Sequence, residues 1–168
     1  MSGTTRDQAS LGIYVNDHLA GAVVATNLAR RLAASEREWT KADVLERLAS
    51  EIAEDRDELL DIMAALDVPV SQYKTWASWT AERVGRLKLN GRLHTRSPLS
   101  RVLELEAMRL GVEGKAASWR ILRIRAESDP GLDAERLDRL IDRAKAQIDL
   151  LEELRVEAAA DVFGGPID

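Results

Sequence analysis

Four long helix-forming runs in this sequence are joined by two short turns and one link of about thirty residues, and that uneven spacing restricts the fold more than any other feature. The first run spans roughly 11–35. The second spans roughly 41–66, with Thr40 as its expected N-cap and Asp43 three residues on. The third begins at Ser97 followed by Pro98, a cap and then a proline at the first helical position, and continues to about 127. After the break "SDPGLD" the fourth runs from about 134 to 163, where "GGPID" stops it. Short turns make the first and second runs, and the third and fourth, antiparallel hairpins. The long link carries a shorter helix of its own over roughly 72–88, with Ser71 as its cap, and can return the chain to the other end of a bundle. A four-helix bundle of two hairpins joined by a crossover is the expected fold, with a simple up-down bundle as the alternative. Residues 1–10 and 164–168 read as tails around one domain spanning 11–163.

Turning each helix by 100° per residue shows which side chains share a face. In the first helix the stripe is Leu11, Val15, His18, Ala22, Ala25, Ala29 and Leu32, with a lone histidine at its centre. In the second it is Leu48, Ile52, Asp55, Leu59, Ile62 and Leu66, so Asp55 stands where a leucine belongs. The third interleaves Leu103, Leu110, Ala117 and Ile124 with Leu99, Glu106, Glu113 and Arg120. The fourth reads Leu137, Ile141, Ala144, Ile148, Leu151, Arg155, Ala158 and Val162, with Gln147 at the edge. A buried charge without a partner costs several kcal/mol, so these polar groups should pair. Across an antiparallel hairpin, residue numbers at one level add to a constant, about 76 for the first pair and about 261 for the second. That places His18 near Asp55, Glu106 level with Arg155, and Glu113 beside Gln147. A connected polar layer of His18, Asp55, Glu106, Glu113, Arg120, Gln147 and Arg155 is expected inside the bundle.

Carboxylates and a histidine inside a four-helix bundle with a long crossover resemble the ferritin-like superfamily, over most of the chain. That group includes di-iron carboxylate proteins, whose signature is Glu-x-x-His on two helices plus a glutamate from each of the others. The present sequence has Glu152-x-x-Arg155, Glu51-x-x-Glu54 and Asp55-x-x-Glu58, and its second histidine, His94, lies in the link. Arginine stays charged and ligates no metal, so the resemblance implies the fold without the di-iron centre. The expected role is that of a non-enzymatic protein acting through binding or assembly, with ion pairs in place of metal and no cofactor. The alternative is a protein of metal or oxygen chemistry that retains one divalent ion at His18, Asp55 and Glu113.

Other features bear on partners. Ala107, Gly111, Gly114 and Ser118 form a strip of small residues, which implies close approach of a neighbouring helix, room for a ligand, or a kink. Second apolar patches, Ile13, Ala20 and Val24 on the first helix and Leu105, Met108, Val112, Trp119 and Leu122 on the third, imply a further contact. The short helix, through Tyr73, Trp76, Val84 and Leu87, would cover one, and a homodimer or another protein partner the other. Residues 36–67 hold eleven acids against four bases, whereas Arg83, Arg86, Lys88, Arg92, Arg96 and Arg101 follow without an acid between them. That basic stretch is a docking patch for an acidic partner, or simply solvates. A net charge of -5 and unstacked bases in the stretch argue against nucleic acid. With no cysteine, thiolate metal sites and disulfides are excluded. Leu19 to Ala29, the most apolar run, is too short to span a bilayer, and the expected location is cytoplasmic. The chain carries no phosphate loop, nucleophile elbow or His-Glu-x-x-His motif, so no catalytic residue is assigned.

Overall fold

The computed structural model describes residues 2–71 and 97–164, and among them the chain is all-helical. Its helices are α1 (Ser2–Ser35), α2 (Ala42–Ala65), α3 (Pro98–Arg125) and α4 (Ala134–Phe163). No helix among the described residues is long and apolar enough to cross a membrane. The shorter helix expected over 72–88, His94, and the basic residues Arg83, Arg86, Lys88, Arg92 and Arg96 lie outside the described residues.

Helix α1 starts far earlier than its apolar stripe, because the end of α2 lies beside those extra turns. Gln8 Nε2 donates to the Leu66 carbonyl at 3.0 Å, so residues read as a tail are part of the helix. Helix α2 starts after Lys41 with no side-chain cap; Thr40 does not serve as one. It ends at Asp67, whose φ of 53° is left-handed, while the Val68 amide reaches back to the Met63 carbonyl at 2.9 Å. Val68 then lies over α1, where a Cβ on Gly12 would meet it at an ordinary 3.8 Å, and Asn16 bonds both the Pro69 carbonyl and the Ser71 amide. Ser97 and Pro98 open α3 as the sequence predicts. Asp133 caps α4 by accepting from the Arg136 amide, and Gly164, at φ 66°, terminates it.

Cross-helix pairs fix direction and register. Helices α3 and α4 are joined by Arg109–Glu152 at 3.3 Å, Arg123–Asp138 at 3.0 Å and Arg101–Asp161 at 3.3 Å, all at the register that turn length predicts. Arg31 meets Glu104 at 3.1 Å between α1 and α3, and Arg136 meets Glu58 and Asp61 between α4 and α2. Residue numbers fall along one helix as they rise along its neighbour, so each of these pairs is antiparallel. At the end where α1 turns into α2, Arg101 binds Glu36 at 2.6 Å and stacks 4.5 Å from the Trp39 ring.

The core corrects the face expected for α3. Its buried side is Val102, Leu105, Met108, Val112, Ala116, Trp119 and Leu122, which takes in all five residues read as a second patch. Leu110 is 69% exposed and Ile124 64%, on the stripe expected to be buried. Magnitudes explain the choice. The expected stripe would bury Glu106, Glu113 and Arg120, each costing several kcal/mol unpaired. The alternative face buries a tryptophan, worth the most apolar area of any side chain, and admits one charge. Helices α1 and α4 are rotated by a smaller step: Leu19 replaces His18 at the centre of the α1 stripe, and Leu140, Gln147 and Leu154 join the buried side of α4.

This rotation predicts opposite responses on the two faces of α3. Leu122→Ala should lower the urea-unfolding free energy by about 2–5 kcal/mol, whereas Leu110→Gln and Ile124→Gln should each change it by about 0.5 kcal/mol or less.

Candidate functional site

The buried polar layer exists, with a membership that only partly matches the expected one. Asp55 on α2, 2% exposed, and Gln147 on α4, 1% exposed, belong to it as expected. Their partners are Lys115 and Arg143, neither of which the apolar stripes singled out. Lys115 Nζ, reaching from α3, donates to Asp55 Oδ2 and, at 2.5 Å, to Gln147 Oε1. Arg143 Nη2, on α4, lies against the other oxygen of Asp55 as an ion pair off hydrogen-bond geometry. Gln147 Nε2 donates to Asp55 Oδ2 at 3.2 Å and to Glu51 Oε2 at 3.0 Å. On its outer side Arg143 reaches Glu54 at 3.3 Å. One buried carboxylate thus holds two cations from two other helices, and an amide fills the gap between them. Burial pulls the Lys115 ammonium below the usual lysine range, opposed by the Asp55 charge and its hydrogen bond and assisted by the Arg143 charge.

The other expected members sit elsewhere. Arg120 is exposed. Glu113 is 44% exposed and lies 3.9 Å from Arg109 on its own helix. Glu106 and Arg155 do pair, at 3.5 Å and at the predicted level, but on the surface, where Arg155 binds Glu152 more closely at 2.6 Å. His18 is half-buried, packs edge-on against Tyr14 with ring centroids 4.6 Å apart, and makes no hydrogen bond to Asp55. Burial pushes its pKa down, against the raising effect of neighbouring Asp17. His18, Asp55 and Glu113 therefore do not converge, and no group of three metal-ligating side chains occurs among the described residues. Arg101, assigned to the basic docking patch, is committed to Glu36, Asp161 and Trp39.

A cavity of about 230 Å³ adjoins the layer between α1, α2 and α3. Asp55 and Lys115 line it at one side, with His18, Ser118 and Trp119; Ile52 and Leu59 of α2 and Val112 of α3 give it apolar walls. The small-residue strip of α3 faces it. A Cβ on Gly111 would meet Ala25 at an ordinary 4.0 Å, whereas one on Gly114 would meet nothing within 4 Å. Helix packing therefore requires neither glycine, and Gly114 borders open space.

The patch Leu105, Met108, Val112, Trp119 and Leu122 did carry the missing signal, since continuing it three residues past Val112 lands on Lys115. Arg143 lies one turn before Gln147 and next to the core residue Ala144, a position that periodicity alone does not separate from a solvated edge. No protein-family model, curated protein or solved structure matches the chain.

Because the layer is buried and coupled, single changes in it should be costly and non-additive. Asp55→Asn, which leaves two cations without their carboxylate, should destabilise by about 3–5 kcal/mol in urea unfolding. Asp55→Leu combined with Lys115→Met should cost less than the two single losses together, and Arg155→Met, at the surface, about 1 kcal/mol or less.

Proposed function

We propose that the chain is a divergent ferritin-like bundle that acts through binding or assembly, in which an ion-pair layer occupies the place a di-iron centre takes in that superfamily. The antiparallel pairs support the topology. Leu66, at the end of α2, lies beside Gln8 near the start of α1, and Arg101, near the start of α3, lies beside Glu36 at the end of α1. The end of α2 and the start of α3 thus lie toward opposite ends of α1, the separation that a crossover spans.

The observation that carries the chemical part is the occupancy of Asp55. Both of its oxygens face side-chain cations, an ammonium on one and a guanidinium on the other. A divalent ion binding there would have to displace Lys115 and Arg143 and strand their charges in the core. Arginine cannot be deprotonated to make room, and lysine does so only at the expense of its hydrogen bonds. The reading with one ion at His18, Asp55 and Glu113 lacks a converging ligand set, because Glu113 does not line the cavity that His18 and Asp55 share.

Metal content separates the two readings. Untagged protein exposed anaerobically to ferrous, manganous and zinc ions and then desalted should retain substoichiometric metal by mass spectrometry. Near-stoichiometric metal that is lost in His18→Ala would contradict the proposal and make His18 a ligand.

A further inference from the structure

We propose that the cavity between α1, α2 and α3 binds a small cyclic carboxylate, a single ring bearing one carboxylate group. The proposal rests on the metal-free reading of the layer and goes beyond it by giving the cavity an occupant.

Size sets the first limit. An apolar cavity of about 150 Å³ is enough to take up benzene, so about 230 Å³ accommodates a six-membered ring with one substituent. The glycines on its walls point the same way. Gly21 on α1 and Gly114 on α3 both line the cavity in the interior of long helices. Each costs about 1 kcal/mol relative to alanine. Neither is required by helix packing, since a Cβ at either position would meet nothing within 4 Å. What Gly114 preserves is volume inside the cavity, whereas Gly21 is exposed and leaves the α1 side of the space open.

Hydrogen-bonding capacity sets the chemistry. An ammonium has three donors, and Lys115 spends one on Asp55 and one on Gln147. Trp119 is 1% exposed, lines the cavity, and its buried indole N–H has no partner among the described residues. His18, at the same cavity, makes no hydrogen bond either. Donors therefore outnumber acceptors around this space, and a carboxylate brings about four lone-pair sites. Charge agrees: the one fully buried charge of the layer, Asp55, faces two cations, Lys115 and the partly exposed Arg143. Of the remaining charges nearby, Glu51 is held by Gln147 and Glu54 by Arg143; on the cavity lining Arg56 is paired with Asp57 at 2.6 Å, and Asp17 is exposed to solvent. An amine of the same shape would compete with Lys115 and Arg143 for the Asp55 carboxylate, whose two oxygens those cations already face.

Benzoate is the probe, benzylamine its counterpart of opposite charge, and the assay is the Trp119 indole resonance in two-dimensional NMR, with chelator present. Benzoate should shift that resonance saturably at millimolar concentration, and benzylamine should not. Gly114→Leu, which fills the cavity with a better helix former, should weaken benzoate by about tenfold or more, about 1.4 kcal/mol, and leave the protein folded. Lys115→Met should weaken it too where it folds. Absence of any saturable shift by benzoate, equal binding of benzylamine, or undiminished binding to a folded Gly114→Leu protein would each overturn the proposal. Benzoate binding that appears only when chelator is replaced by ferrous or manganous ion would overturn the metal-free reading beneath it.

Discussion

A single buried carboxylate organises the centre of this bundle. Asp55 sits at 2% exposure in the middle of the apolar stripe of α2, and at that depth an ionised side chain is tolerable only with partners. Those partners come from two other helices, Lys115 from α3 and Arg143 from α4. Three helices are therefore held in one rotational setting by a contact that works only in that setting. Replacing such a group of charges with well-packed apolar side chains is often neutral or stabilising. Its value is consequently in specifying the arrangement, with little net gain in stability, and slippage of any of the three helices would leave a charge stranded.

The layer is satisfied unevenly. On the α4 side Gln147 closes it, bridging Lys115, Asp55 and Glu51. On the α1 side the same Lys115 and Asp55 face a cavity bounded by small residues of α1 and α3. Helix α1 contributes Gly21, Ala22 and Ala25 there beside Asp17 and His18, so much of that wall carries little side chain. Fixed charge on one side and open volume on the other give the bundle centre a polarity that a uniformly packed core lacks.

The parts of the architecture set by chain length were legible in the sequence. Turn length fixes which residues stand level in a hairpin, and Glu106–Arg155 and Arg123–Asp138 meet where that rule puts them. The Ser97–Pro98 start of α3 was legible because it is set locally, although the Ser97 side chain makes no cap bond. The Asp133 cap of α4 was not singled out, and Thr40, which was, does not cap α2. Rotation about a helix axis is a global property, decided by comparing whole faces. On α3 two faces carry similar numbers of apolar residues, and the balance is tipped by Trp119 against Ala117 and by three charges against one. Choosing the wrong face moved Glu113 and Arg120 into the expected core and hid Lys115. The start of α1 was illegible for a different reason, since residues 2–10 have no periodic stripe and the contact of Gln8 with the end of α2 is made across the fold.

Lys115 is a buried ammonium held by Asp55, and its own titration reports on that state. Following the Lys115 ε-methylene carbon by NMR as pH rises should show proton release below the ordinary lysine value of 10.5, because burial penalises the charged form. Asp55→Asn should move that release lower still, since the carboxylate is what favours the charged form there. A Lys115 that titrates with the surface lysines, or is unmoved by the loss of Asp55, would contradict the account.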